Sequence, residues 1–467
     1  MPPFFALISP LLLYLLYRFV YSLLWIPYRT QLHLRRQGVR GPPRRLLSGN
    51  AADVRDLIAR AQAAPLPAFH HHDVAGRVVP HYREWSAQFG RTFLYWFGPR
   101  PRLAIVEPEL VRVVMTDSTG RFEKVGFNPL AKQLFGEGLP GLKGRTWARH
   151  RRLIAPAFNM ERIKSWIPAI ASSTSTMLEK WEVQVGSSSG FEIEVNKEFH
   201  TFTADVISQV AFGSSYKEGK RIFQLQEEQM LLVSLALRTV YIPGFRFIPT
   251  KKNRKRWSLN KEIRKSLHQL IQANWNECEN SKNLLGLMIS AQKNKALHQD
   301  WQKKVRDEVT YVCGSHKYPN GDVLADLKIV NMVLKETLRL YPPGIALVRL
   351  TTKDTKLGTL DIPAGTQLYM PTIAIHHDAE VWGADASEFN PLRFAEGKGH
   401  HLGSFTPFGL GATICVGQNL ALVEAKVALA MILQRFEFVV SPSYVHAPML
   451  LLTLQPQYGA QVLFRKI

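Results

Sequence analysis

The longest apolar stretch lies at the start of the chain. Residues 4–26 carry a single charge, Arg18. That length meets the ~20 residues a helix needs to cross a bilayer, with Arg18 reaching toward an interface. A cleaved signal peptide is the competing reading, but no basic leader and no Ala-x-Ala site accompany the run. Arg29, Arg35, Arg36, Arg40, Arg44 and Arg45 follow, with no acidic residue before Asp53, and Gly41-Pro42-Pro43 breaks the chain behind them. The basic excess predicts a single-pass anchor over 1–28, a basic, Pro-rich hinge over 29–45, and a cytosolic globular part over 46–467. Two further patterns stand out in that part. Residues 333–340 read as helix, stopped by Tyr341-Pro342-Pro343. Residues 418–436 contain neither glycine nor proline and read as one amphipathic helix behind a glycine-rich turn.

Composition narrows this picture. The 467 residues show no repeat, low-complexity tract or long Gly/Ser linker. Cys278, Cys313 and Cys415 are widely spaced and form no CxxC pair, which argues against a disulfide scaffold or zinc site. The formal net charge is +22. A chain this basic invites a nucleic-acid reading, and Lys251-Lys252-Asn253-Arg254-Lys255-Arg256 could pass for a nuclear-localisation run. No recognised nucleic-acid motif accompanies the charge, so nucleic acid is not an expected partner. Anionic headgroups fit better beside an anchor.

The turn before the last long helix is Phe408-Gly409-Leu410-Gly411-Ala412-Thr413-Ile414-Cys415-Val416-Gly417. It places Cys415 near a helix N-terminus, where free N–H groups and the dipole favour a thiolate. Flanking glycines allow a flat group to approach the backbone. Such a thiolate suits a haem iron, although a small cysteine buried at a helix start would look the same.

The spacing Phe-x-x-Gly-x-x-x-Cys-x-Gly resembles the haem-binding loop of cytochrome P450 enzymes. Three other segments share the resemblance. Glu336-Thr337-Leu338-Arg339 with Leu340-Tyr341-Pro342-Pro343 resembles the family's K helix, whose Glu-Arg pair is completed by an arginine that falls here at Arg393. Trp147-Ala148-Arg149-His150-Arg151 resembles the C helix, which implies that Trp147 and Arg151 contact haem propionates. Arg349 falls where the family often places another propionate partner. Residues 38–43, 204–223 and 417–459 resemble plant microsomal members, above all the clan that modifies hormones and terpenoids, including cytokinin, brassinosteroid and gibberellin enzymes.

Two departures accompany the likeness. The family usually has Arg two positions before the cysteine, pairing with a propionate; this chain has Thr413. The family also carries a distal helix of about 30 residues, roughly 45 Å long, bearing an acid–alcohol motif that delivers protons. No such motif occurs here. Residues 283–290 resemble the segment before that helix and 297–302 the segment after it, leaving only 291–296 between them. A loss of this size should exceed the ~5–15 kcal/mol by which domains are stable, giving poor folding or weak haem binding.

The resemblance therefore implies a mainly α fold with a smaller β-rich part, an N-terminal transmembrane helix, and a distal helix missing from the usual plan. It implies haem b held by Trp147, Arg151, Arg349, Phe408, Gly411, Cys415 and Gly417, with Cys415 on the iron, and a structural triad of Glu336, Arg339 and Arg393. It further implies NADPH electrons relayed by the flavoprotein NADPH–cytochrome P450 reductase, and residence in the endoplasmic reticulum membrane. The expected reaction is hydroxylation of a lipophilic terpenoid, steroid or fatty-acid-like molecule, in a pocket lined from 122–140 and 344–350. A catalytically inactive remnant is the alternative.

Overall fold

Five short strands, far apart in sequence, meet in one sheet. In the computed structural model, which describes residues 10, 13–14, 16–67, 72–136, 138–185, 190–212, 216–275, 299–314, 318–396 and 400–467, these are β1 (Leu94–Phe97), β2 (Arg100–Ala104), β3 (Phe122–Lys124), β4 (Leu347–Thr351) and β5 (Gln367–Met370). Their order is β1-β2-β5-β4-β3. β2 and β5 run parallel, while the other pairs are antiparallel. Alternate strand residues such as Leu103, Leu368 and Met370 close a core shared with Val111 and Val114 of the Pro108–Thr116 helix.

The helical part is larger and has its own core. α2 (Gly144–Ile154) leads into α3 (Met160–Val185); α4 (Lys328–Leu340) and α5 (Gln418–Arg435) lie later in the chain. Ile163, Ile170 and Trp181 of α3 pack with Val333 of α4 and with Val427 and Met431 of α5. A three-stranded sheet, Phe191–Glu194, Gln461–Lys466 and Phe436–Val440, covers one end. The architecture is mostly helical with a smaller β part, in line with the expectation.

α5 departs from its expected amphipathic character. Ala430, Met431, Ile432 and Leu433 are buried in succession, so the helix is enclosed on more than one face. It ends at Arg435, and Phe436 already begins a strand.

Among the described residues no helix is long and apolar enough to cross a membrane. Residues 1–9, 11, 12 and 15 of the apolar run lie outside them. Leu16, Phe19, Leu24 and Trp25 expose their side chains. A π-helical turn at Tyr21–Trp25 passes into α1 (Ile26–Arg36), so the stretch expected as hinge begins as helix. Leu34 at the end of α1 is buried in the sheet core. The chain then turns at Gly41, where a Cβ would lie 1.8 Å from the carbonyl oxygen of Leu94. Residues 276–298, where sequence places the excised helix, lie outside the described residues.

Candidate functional site

α4 has no proline until Pro342, and its last turns place Glu336 and Arg339 on one face. Both side chains are fully buried, and Arg339 donates to both carboxylate oxygens at 2.7 and 2.8 Å. The arginine also donates to the carbonyl oxygens of His376 and Ala386 at 2.6 Å each and of Glu388 at 3.0 Å. Arg393 lies 3.5 Å from Glu336, bonds the Trp382 carbonyl at 2.7 Å and pairs with Asp385. The Asn390 amide donates to Glu336 at 2.8 Å. The sequence-expected triad is therefore assembled, and backbone groups satisfy most of its remaining valences.

From this network a line of bonds runs to the cysteine loop. His376 Nδ1 lies 3.0 Å from the Arg339 carbonyl, and its Nε2 accepts the Thr406 amide at 3.0 Å. The ring is therefore the neutral Nδ1–H tautomer, and burial holds its pKa down to about 3. The Gly409 amide donates to Thr406, and the Cys415 amide to the Phe408 carbonyl at 2.8 Å. Gly409, at φ +80°, makes the left-handed turn between them. Gly411 has a different reason to be glycine: a Cβ there would lie 2.4 Å from the Met115 carbonyl oxygen. Protein packing alone thus accounts for that glycine, without any flat ligand.

Cys415 is exposed within this loop. The surrounding protein pushes its thiol up, against the pull of the Gly417 N–H, the Arg151 charge and the Gln418 N–H at the start of α5. The helix-start effect expected from sequence is present, but desolvation by the atoms packed around the exposed side chain outweighs it.

Two cations bond this loop, and a third lies beside them. Arg151 of α2 donates to the Ile414 carbonyl at 2.8 Å. Arg349 of β4 donates to Thr413 Oγ1 at 2.7 Å and to the Val348 carbonyl at 3.1 Å. Lys124 of β3 lies opposite Arg349 in the strand register and sits over the Trp147 ring at 5.0 Å. It also donates to the Leu139 carbonyl. Burial, then Arg349 and Arg151, pull the Lys124 ammonium down to about 8; burial lowers Arg349 to about 10. None of the three forms an ion pair among the described residues, and Arg349 is only 8% exposed. Like charges placed opposite one another in a sheet are destabilising, and a buried unpaired charge is costly. The arrangement calls for an anion.

The expected residues Trp147, Arg151, Arg349, Phe408, Gly411, Cys415 and Gly417 thus come to one place, and Glu336, Arg339 and Arg393 brace it. Lys124 was expected only as one residue of the pocket-lining stretch 122–140, and His376 was not anticipated. Lys124 enters through the β3–β4 register, which the three-residue strand gives no periodicity to reveal. His376 follows α4 only in space.

A thiol at a helix start, beside cations unpaired among the described residues, fits an iron porphyrin with two carboxylates. The model of the family described as cytochrome P450 matches residues 64–300 and 295–464. Cytochrome P450 734A1 of Arabidopsis thaliana is 42% identical over 486 aligned residues, covering 95% of this chain and 93% of the relative. Cytochrome P450 734A6 of Oryza sativa subsp. japonica is 42% identical over 498 residues, covering 94% and 92%. Secologanin synthase 1 of Catharanthus roseus is 38% identical over 494 residues, covering 94% and 93%. The chain belongs to the cytochrome P450 family, whose members are haem-containing monooxygenases supplied with electrons by a reductase.

Proposed function

We propose that this scaffold hydroxylates a lipophilic terpenoid, steroid or fatty-acid-like molecule at the face of the endoplasmic reticulum membrane, with Cys415 as the iron ligand. The observation that carries the reading is the exposed Cys415 near three cations that have no acidic partner among the described residues. Haem, when bound, supplies the oxygen-activating iron, made electron-rich by a thiolate ligand. The chain's own part is to hold and orient. The N–H groups of Gly417 and Gln418 stabilise the sulfur's negative charge. Arg151, Arg349 and Trp147 hold the propionates, while Phe408, Gly411 and Gly417 shape the loop. Glu336, Arg339 and Arg393 fix that loop's position. The exposed apolar side chains of residues 13–26 suit a lipid anchor that precedes a basic hinge and a haem domain over 46–467. The positive charge beyond them suits a cytosolic location and docking of the acidic NADPH–cytochrome P450 reductase.

A second reading has its own support. The alignments to the relatives, 486 to 498 residues in the three cases above, are longer than this 467-residue chain, so the relatives carry residues that it lacks. The family match breaks at 295–300, where sequence places the excised helix. On this reading the proximal site persists while the acid–alcohol pair that delivers protons is gone, and the chain is catalytically inactive. Insertion of the corresponding segment of a relative between Lys295 and Ala296 separates the two. Both chains would be expressed with reductase and supplied with NADPH and a panel of lipophilic substrates. Product from the unmodified chain supports monooxygenation; product from the grafted chain alone supports the remnant.

A further inference from the structure

We propose that Thr413 is a positioning residue for Arg349, an inference that rests on the haem reading of this site. Thr413 occupies the position where the family usually has a cation, and an arginine there could not accept a hydrogen bond. The threonine hydroxyl can, and it takes one from Arg349 Nη2 at 2.7 Å. Its own position is set by the Gly411–Thr413 turn, whose first residue packs against the Met115 carbonyl. Arg349 needs such a guide. It lies opposite Lys124 across the β3–β4 ladder, and repulsion alone would drive the two side chains apart. The bond to Thr413 uses one guanidinium N–H and a second goes to Val348, leaving the others with no acceptor among the described residues and open to an anion. The loop position that usually carries a carboxylate partner of its own here aims the strand arginine instead. A planar guanidinium held in this way presents two parallel donors to one carboxylate.

Haem loss from purified holoprotein to excess apomyoglobin tests this. Thr413→Val keeps the size and removes the acceptor, and is expected to lose haem about tenfold faster, the order of one hydrogen bond to a charged group. Thr413→Ser restores the wild-type rate. In an Arg349→Met background, Thr413→Val adds nothing, because nothing remains to be aimed. Thr413→Ala carries the same expectations if Thr413→Val does not fold. Wild-type retention by the substituted protein, or an equal effect with and without Arg349, overturns the proposal. Wild-type protein that holds no haem at all would instead overturn the haem reading beneath it.

Discussion

His376 joins the α4 network to the cysteine loop through one imidazole ring, and it can do so only when neutral. Its Nε2 must accept the Thr406 amide. Burial keeps His376 and His81 at about 3 and His377 at about 4. Their folded values lie below the unfolded value of 6.5, so the stability they contribute is present above pH 6.5 and is lost as pH falls toward 3–4. Each contributes about 1.4 kcal/mol per pH unit across that window. Denaturant titrations between pH 7 and 5 should show the decline, and His376→Gln, which takes no charge, should make it shallower. Glu424 acts in the opposite direction. Burial raises it to about 8, and its Oε1 has no hydrogen-bond partner among the described residues. It therefore contributes stability below pH 4.5 that is lost as pH rises toward 8. Glu424→Gln should flatten the alkaline limb in the same titrations, whereas an unchanged limb would show that the carboxyl finds a partner in solution.

At the scale of elements, the Glu-Arg-Arg network is the brace on which the loop depends. Removing one member of a buried ion pair costs about 3–5 kcal/mol, because its partner is left charged and unpaired. Glu336→Ala should therefore lower the thermal midpoint far more than Arg393→Ala, whose side chain also meets the half-exposed Asp385. Comparable losses would mean that Arg393, rather than Glu336, is the hub. The Glu336–Arg339 pair was legible in the sequence because i,i+3 spacing and a double-proline stop are local signals. Arg393 was legible only by resemblance. The strands were not legible, because β3 is three residues long and finds its partner, β4, more than two hundred residues later. That is why Lys124 was not singled out within the stretch 122–140, while Arg151 was found through the resemblance of residues 147–151 to a known helix. The glycine-free run 418–436 was legible as helix but not as one buried on more than one face. Its enclosure is set by α3 and the Gln299–Cys313 helix, which sequence does not place beside it.

For the molecule as a whole, the Glu336 network and the Cys415 loop are assembled, while the proposed distal loss falls at residues outside the described ones. The relatives' longer alignments and the break in the family match point to one internal loss rather than a general divergence. An absent buried helix should weaken both folding and haem retention, since even a single large core side chain is worth ~2–5 kcal/mol. The grafted chain should accordingly melt higher than the unmodified one. Equal midpoints would mean that the loss has been accommodated.

The reduced carbon monoxide difference spectrum of membranes carrying this chain tests the central assignment most directly. The thiolate-type band that gives the family its name is expected. That band should be substoichiometric to the immunodetected protein, larger in the grafted chain, and absent from Cys415→Ser. No such band from the unmodified or the grafted chain, with both proteins present, would contradict the assignment of Cys415 to haem iron; so would a band that survives Cys415→Ser.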